Sequence, residues 1–175
     1  MASTLIMLPF LLLSLAMISS TSDAISHQTI SEICSKTESP KFCRSILNSE
    51  PNVPTVNINM VDFIVLTKAQ NIAADTQYVL TSLAENATQP ALKRGYAECV
   101  GLYGAAFSDT HRSMQALVTN DIPTVNELVS AAKASVSGCK RAMKGVGVRD
   151  PSDLPRRNKR LDYVLSIAVV ISKMI

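Results

Sequence analysis

PALKRGYAECVGLYGAAFSDTHRSMQALVTNDIPTVNELVSAAKASVSGCKRAMK, residues 90–144, decides the fold. It reads as two long helices joined by a tight corner, with one cysteine in each. In the first, Leu92, Tyr96, Cys99, Tyr103, Ala106, Met114 and Leu117 share one stripe, at spacings of three and four with a single longer step. In the second, Val125, Leu128, Val129, Ala132, Val136, Cys139 and Met143 do the same. Asn120-Asp121-Ile122-Pro123 between them is turn chemistry, because Pro ends a helical run and Asn or Asp tolerates the corner. Cys99 lies 21 residues before Asn120 and Cys139 lies 19 after it. At about 1.5 Å of rise per residue, antiparallel packing sets both sulfurs roughly 30 Å from the corner. A bridge there would staple the helical hairpin at its far end.

Four cysteines allow three pairings. Cys34 and Cys43 are nine apart across the break Thr37-Glu38-Ser39-Pro40, an easy span for a small helical hairpin. The height match of the long helices therefore selects Cys34–Cys43 with Cys99–Cys139. A loop of about 40 residues closed by the second bridge is worth roughly 3–4 kcal/mol in the chain-entropy model.

The remaining segments complete a bundle. Pro51-Asn52-Val53-Pro54 is a linker, followed by a helix capped near Thr55 and running to about Ala84. Ile58, Val61, Val65, Ala69, Ile72, Val79, Leu80 and Leu83 line its inner face, with Asp62, Lys68, Gln70, Asp75 and Gln77 on the outer one. Tyr78, Tyr96 and Tyr103 sit at packing positions. Gly145 to Pro155 reads as loop, and Leu161, Val164, Leu165, Ala168, Val169, Ile171 and Ile175 form a closing helix. The expected fold is all-α: an antiparallel four-helix bundle (54–175) preceded by a short N-terminal helical hairpin (25–50), with two disulfides.

Residues 1–24 are a different kind of segment. Leu5-Ile6-Met7-Leu8, Phe10-Leu11-Leu12-Leu13 and Ala16-Met17-Ile18 lead into Ser and Thr, and Ser22-Asp23-Ala24 puts small residues where a signal peptidase reads. Cleavage is expected after Ala24, and the run is too short and interrupted for a membrane span. All four cysteines then lie in a chain bound for an oxidising compartment. Asn86-Ala87-Thr88 is a glycosylation sequon in a suitable loop.

The chain carries a formal net charge of +3, and loss of Asp23 with the signal segment leaves +4. Charge is concentrated in one stretch, where Lys140, Arg141, Lys144, Arg149, Arg156, Arg157, Lys159 and Arg160 face only Asp150 and Asp153. In a secreted chain such a stretch suits an acidic polysaccharide, a membrane surface or an acidic protein; the plain alternative is a solvated linker and helix start. Export argues against nucleic acid, despite Arg156-Arg157-Asn158-Lys159-Arg160. No catalytic grouping stands out. His27 and His111 lack a metal-ligand companion at helical spacing, no phosphate-cradling glycine loop or nucleophile motif occurs, and the carboxylates are scattered. No cofactor is implied.

Ser31-Glu32-Ile33-Cys34-Ser35-Lys36-Thr37, then Pro40 and Cys43, resembles the N-terminal hairpin of the plant invertase and pectin methylesterase inhibitors. The resemblance continues through Gln89-Pro90-Ala91-Leu92-Lys93, Cys99 with Tyr103, and Ser130-Ala131-Ala132 ahead of Cys139. It ends with Leu161-Asp162-Tyr163-Val164-Leu165-Ser166-Ile167-Ala168-Val169-Val170-Ile171. It implies a secreted bundle with bridges paired first-to-second and third-to-fourth, which blocks a cell-wall or vacuolar enzyme by capping its substrate cleft.

The same resemblance indicates where the partner would sit. Invertase-directed members carry a Pro-Lys-Phe ahead of the fourth-cysteine helix, where this chain has Asp121-Ile122-Pro123; Pro40-Lys41-Phe42 lies in the hairpin instead. Methylesterase-directed members carry acidic contacts at positions that here hold Gly101, Ala105 and Ser108, and an acidic pair where Lys140 and Arg141 stand. The expected function is inhibition of a pectin methylesterase in a protein–protein complex in the cell wall. The alternatives are an invertase inhibitor and, from another class, a secreted helical signalling or binding protein. An apolar-ligand carrier is disfavoured by small residues such as Ala131 and Ala132 and by four cysteines rather than eight.

Overall fold

Prolines and short polar side chains set where each helix of this chain begins. In the computed structural model, which describes residues 24–175, the elements are α1 (His27–Ser35), α2 (Pro40–Asn48), α3 (Ile58–Asn86), α4 (Pro90–Val118), α5 (Ile122–Gly145) and α6 (Leu154–Ser172). A 3-10 turn, Val53–Thr55, precedes α3, and no strand occurs among the described residues. The export segment read at 1–24 lies, except for Ala24, outside the described residues. Pro40, Pro90, Pro123 and Pro155 occupy first-turn positions, where the missing N–H is no loss. The Ser26 hydroxyl accepts from the Thr29 N–H at 3.0 Å, and Asn57 Oδ1 accepts from the Met60 N–H at 3.0 Å.

The corner between α4 and α5 is built as its composition suggests. Asn120 takes φ 57°, the left-handed conformation Asn tolerates better than other side-chain-bearing residues. Its N–H donates to the Leu117 carbonyl and the Asp121 N–H to the Ala116 carbonyl, at 3.0 and 2.9 Å. This Schellman pair satisfies two of the orphan carbonyls of α4. Asp121 then turns to cap α5, its Oδ1 accepting from the Thr124 N–H at 3.2 Å.

Helices α3 to α6 pack in a ring, each against two others, and the α1–α2 hairpin rests on α6. Two disulfides close the structure: Cys34–Cys43, with Cα atoms 5.3 Å apart, and Cys99–Cys139, with Cα atoms 4.8 Å apart. All four cysteines are fully buried. Beside the second bridge α4 and the end of α5 approach closely. A Cβ on Gly95 would stand 2.6 Å from Val146 Cγ2 and 3.0 Å from Met143 Sδ, so any larger residue would force those side chains to shift.

Several details depart from the sequence reading, among them Ile175, which lies beyond the end of α6. Asn57, rather than Thr55, caps α3, which runs on to Asn86. α6 begins at Leu154 and takes in Arg156–Arg160, because Leu154, Asn158, Leu161 and Leu165 continue its buried stripe toward the N-terminus. Asp62, read as outward, is fully buried, whereas Tyr78, read as packed, is 80% exposed. Because α3 touches both α4 and α6, its buried arc is wider than one stripe. Val61, Val65, Ala69, Ile72, Thr76 and Leu80 form one row, and Asp62, Leu66 and Ala73 a second beside it. Tyr78 lies opposite both. No helix among the described residues is long and apolar enough to cross a membrane.

Candidate functional site

Gly101, Ala105 and Ser108 are all exposed on α4. They belong to a stripe at steps of four and three, Arg94, Glu98, Gly101, Ala105, Ser108 and Arg112, that runs along the helix's outer surface. The opposite face carries Tyr96, Cys99, Tyr103 and Ala106 into the core. A Cβ at Gly101 would meet nothing within 4 Å. The middle of the stripe is therefore flat and open to close approach by another surface.

Lys140 and Arg141, adjacent in sequence, point to different sides of α5. Arg141 is exposed and shares a groove with Arg94 and Glu98 between α4 and the end of α5, so it borders the α4 stripe. Lys140 turns the other way and pairs with Asp162 of α6. The same carboxylate takes Lys133, its Oδ1 2.8 Å from the Lys133 ammonium, and Lys133 reaches on to Glu38 at 2.5 Å. Burial would raise the Asp162 pKa, but the hydrogen bonds from the two lysines outweigh it and hold it below the ordinary carboxylate value. Burial would likewise lower Lys133, and its bonds to Asp162 and Glu38 outweigh that to hold it above its ordinary value. The network ties hairpin, α5 and α6 together, so Lys140 is in large part a bundle residue. Its counter-ion was legible only by looking two residues beyond the basic stretch and seven-residue steps back along α5.

The rest of that stretch is similarly divided. Asp153 holds Arg156 and Arg157 at 2.9 Å each, which lowers its pKa. Lys159 lies 5.5 Å from the centre of the Tyr163 ring. Lys144 and Arg149 are exposed and have no ion-pair partner among the described residues. Pro40-Lys41-Phe42 opens α2, and Phe42 packs on Tyr163 with ring centres 5.4 Å apart. That motif docks the hairpin on α6. Asn86 ends α3, exposed, with its amide donating to the Ser82 carbonyl at 2.8 Å.

Both buried tyrosines reach toward the α5–α6 end. The Tyr103 hydroxyl donates to Asn158 Oδ1 at 2.7 Å, and the Tyr96 hydroxyl donates to Asp150 Oδ1 at 2.5 Å. Between these residues and the end of α5 lies a cavity of about 360 Å³. Lys140, Lys144 and Asn158 reach it, over an apolar floor that includes Met143, Leu154 and Pro155. Sequence reading missed it, since Tyr96 and Tyr103 carry only a packing signal and Asn158 sat in a stretch read by charge alone. Among the described residues no group of three or more His, Cys, Asp or Glu is arranged to hold a metal ion.

Comparison with known proteins places these features in company. The profile of the family described as plant invertase/pectin methylesterase inhibitor matches residues 28–171. Pectinesterase inhibitor 2 of Arabidopsis thaliana is 31% identical over 145 residues, covering 83% of this chain and 83% of that protein. The pectinesterase inhibitor of Actinidia deliciosa is 30% identical over 149 residues, covering 85% and 80%. The crystal structure of a mutant form of a pectin methylesterase inhibitor from Arabidopsis superposes with a TM-score of 0.76 at 29% identity, covering 83% of this chain and 96% of the other.

Proposed function

The chain belongs to the plant invertase/pectin methylesterase inhibitor family, and from that premise we propose that it inhibits a pectin methylesterase by capping the enzyme's substrate cleft. It is a proteinaceous inhibitor and not itself an enzyme. The observation that carries this reading is that the family profile spans residues 28–171, taking in hairpin, both bridges and bundle, while pectinesterase inhibitors are similar over 83–85% of this chain. In this reading the chain is exported on residues 1–24, acts in the cell wall, carries a glycan on Asn86, and meets acidic pectin through the Lys140–Arg160 stretch.

The contact surface is the outer face of α4 around Gly101, Ala105 and Ser108, bordered by Arg141. It offers shape in place of the acidic contacts that the family resemblance leads one to expect, and its charge at the border is positive. Like charges across an interface repel and slow encounter, so the preferred target is an acidic or near-neutral isoform. An invertase target is not favoured, because the corner carries Asp121-Ile122-Pro123 and the hairpin's Pro-Lys-Phe is occupied in docking on Tyr163.

Gly101→Trp tests the surface without disturbing the fold, since its Cβ has open space. Methanol release from pectin by purified acidic and basic methylesterases is measured against inhibitor concentration. The wild type inhibits the acidic enzyme, Gly101→Trp does not, and Arg141→Asp weakens inhibition of the acidic isoform while relieving repulsion from the basic one. Full inhibition by Gly101→Trp would remove the α4 face from the interface.

A further inference from the structure

We propose that the cavity between the end of α5 and the first turns of α6 is a binding site for one uronate unit of de-esterified pectin. The choice of ligand rests on the inhibitor reading above; the chemistry of the cavity stands apart from it. About 360 Å³ accommodates one pyranose ring. Lys144 is the free cation at its rim, exposed and without an ion-pair partner among the described residues. Lys140 adds a second ammonium, shared with Asp162.

Asn158 supplies the polar group of the floor. The residue is only 3% exposed, its Oδ1 is taken by Tyr103, and its amide nitrogen donates to no described residue. That nitrogen keeps solvent access at the cavity wall, where a ligand oxygen can accept from it. Met143, Leu154 and Pro155 give the apolar surface on which the C–H face of a sugar ring packs. Asp150 also lines the wall, but its Oδ1 receives the Tyr96 hydroxyl and the Ser152 N–H, and its Oδ2 is buried. That second oxygen has no hydrogen-bond partner among the described residues, so the carboxylate opposes an incoming anion and Lys140 and Lys144 must outweigh it.

Such a site reads the carboxylate. A free uronate makes charge-assisted hydrogen bonds to the lysines, and its methyl ester, which has no charge, makes weaker ones. The occupant is thus the chemical product of a methylesterase rather than its substrate. Arg141 and the α4 stripe lie on the other side of α5, so the cavity stays open while the outer face of α4 is covered. The molecule would be held on pectin blocks already de-esterified, beside the enzyme it restrains.

Calorimetric titration of the oxidised protein with pentagalacturonate and with its fully methyl-esterified counterpart tests this. The acid binds and the ester binds about tenfold or more weakly, the worth of one charge-assisted hydrogen bond. Lys144→Glu lowers affinity for the acid by a similar factor. Lys173→Glu changes net charge equally at an exposed position on the far end of the bundle and leaves affinity unchanged. No binding, equal binding of acid and ester, equal loss in both variants, or equal binding of poly-aspartate would each overturn the site. Methylesterase inhibition is assayed in parallel. Pentagalacturonate binding without inhibition would remove the inhibitor reading alone, and inhibition without pentagalacturonate binding would remove this site alone.

Discussion

Asp62 shows how far a single residue can depart from its apparent role. Its composition marks it for the surface, yet neither carboxylate oxygen has a hydrogen-bond partner among the described residues, and burial pushes its pKa up to about 8. An acid raised in this way contributes full stability below the ordinary carboxylate value and loses it as pH climbs toward 8. Asp162 acts in the opposite sense: held down by Lys133 and Lys140, it stabilises above the ordinary value and fails as pH falls through its lowered one. From these two groups stability peaks near the ordinary carboxylate value and declines from there toward pH 8. Thermal melts followed by circular dichroism should show the wild type losing a few kcal/mol between about pH 5 and pH 8. Asp62→Asn, which keeps the shape and removes the charge, should flatten that loss. A decline of equal size in both proteins would show that Asp62 is not its source. Periodicity alone could not expose this residue, because a helix with two packed neighbours buries positions that a one-stripe pattern assigns to solvent. Tyr78 failed for the complementary reason, being apolar in body but opposite both buried rows.

At the scale of elements, the corner was legible and the start of α6 was not. Asn-Asp-Ile-Pro announces a turn, and the structure uses each member of it. Asn120→Gly should be neutral or slightly stabilising at the left-handed position, whereas Asn120→Val should cost roughly 1–2 kcal/mol. Asp121→Ala should cost about 1 kcal/mol by leaving the Thr124 N–H uncapped. Urea denaturation of the three variants measures all of this, and a Val variant as stable as wild type would contradict the corner geometry. Pro155 misled because proline ends helices more visibly than it begins them, and the basic run hid the sequence Leu154, Asn158, Leu161 that announces the helix. The hairpin is another matter of element-level coupling. Its ties to the bundle include Phe42 on Tyr163, Glu38 to Lys133, the Glu38 N–H to Ser166 at 3.4 Å, Glu50 to Lys68, and the Ile25 N–H to the Val56 carbonyl at 2.9 Å. Lys133→Met should speed amide exchange in α1 and α2 while leaving that of α4 unchanged; exchange slowed or unaltered in the hairpin would deny Lys133 this tethering part.

Across the whole molecule, the bundle and its bridges could be inferred from two stripes and two distances along the chain. The inhibitor family was legible too, through a resemblance that runs along the chain; which isoform it meets was not, since the positions expected to carry charge hold Gly101, Ala105 and Ser108, whose meaning lies in surface shape. Removing the Cys99–Cys139 bridge by double alanine substitution should cost roughly 4 kcal/mol, against roughly 2.5 kcal/mol for Cys34–Cys43, from the 40- and nine-residue separations. Denaturant titration of the two variants compares them, and the reverse order would show that hairpin docking outweighs loop closure. Both bridges also join cysteines that are consecutive in the chain. A polypeptide emerging from the ribosome presents Cys34 and Cys43 together before Cys99 exists, and Cys99 then has Cys139 as the next thiol to arrive. Synthesis order by itself delivers the native pairing, without a shuffling step and with little demand on an isomerase.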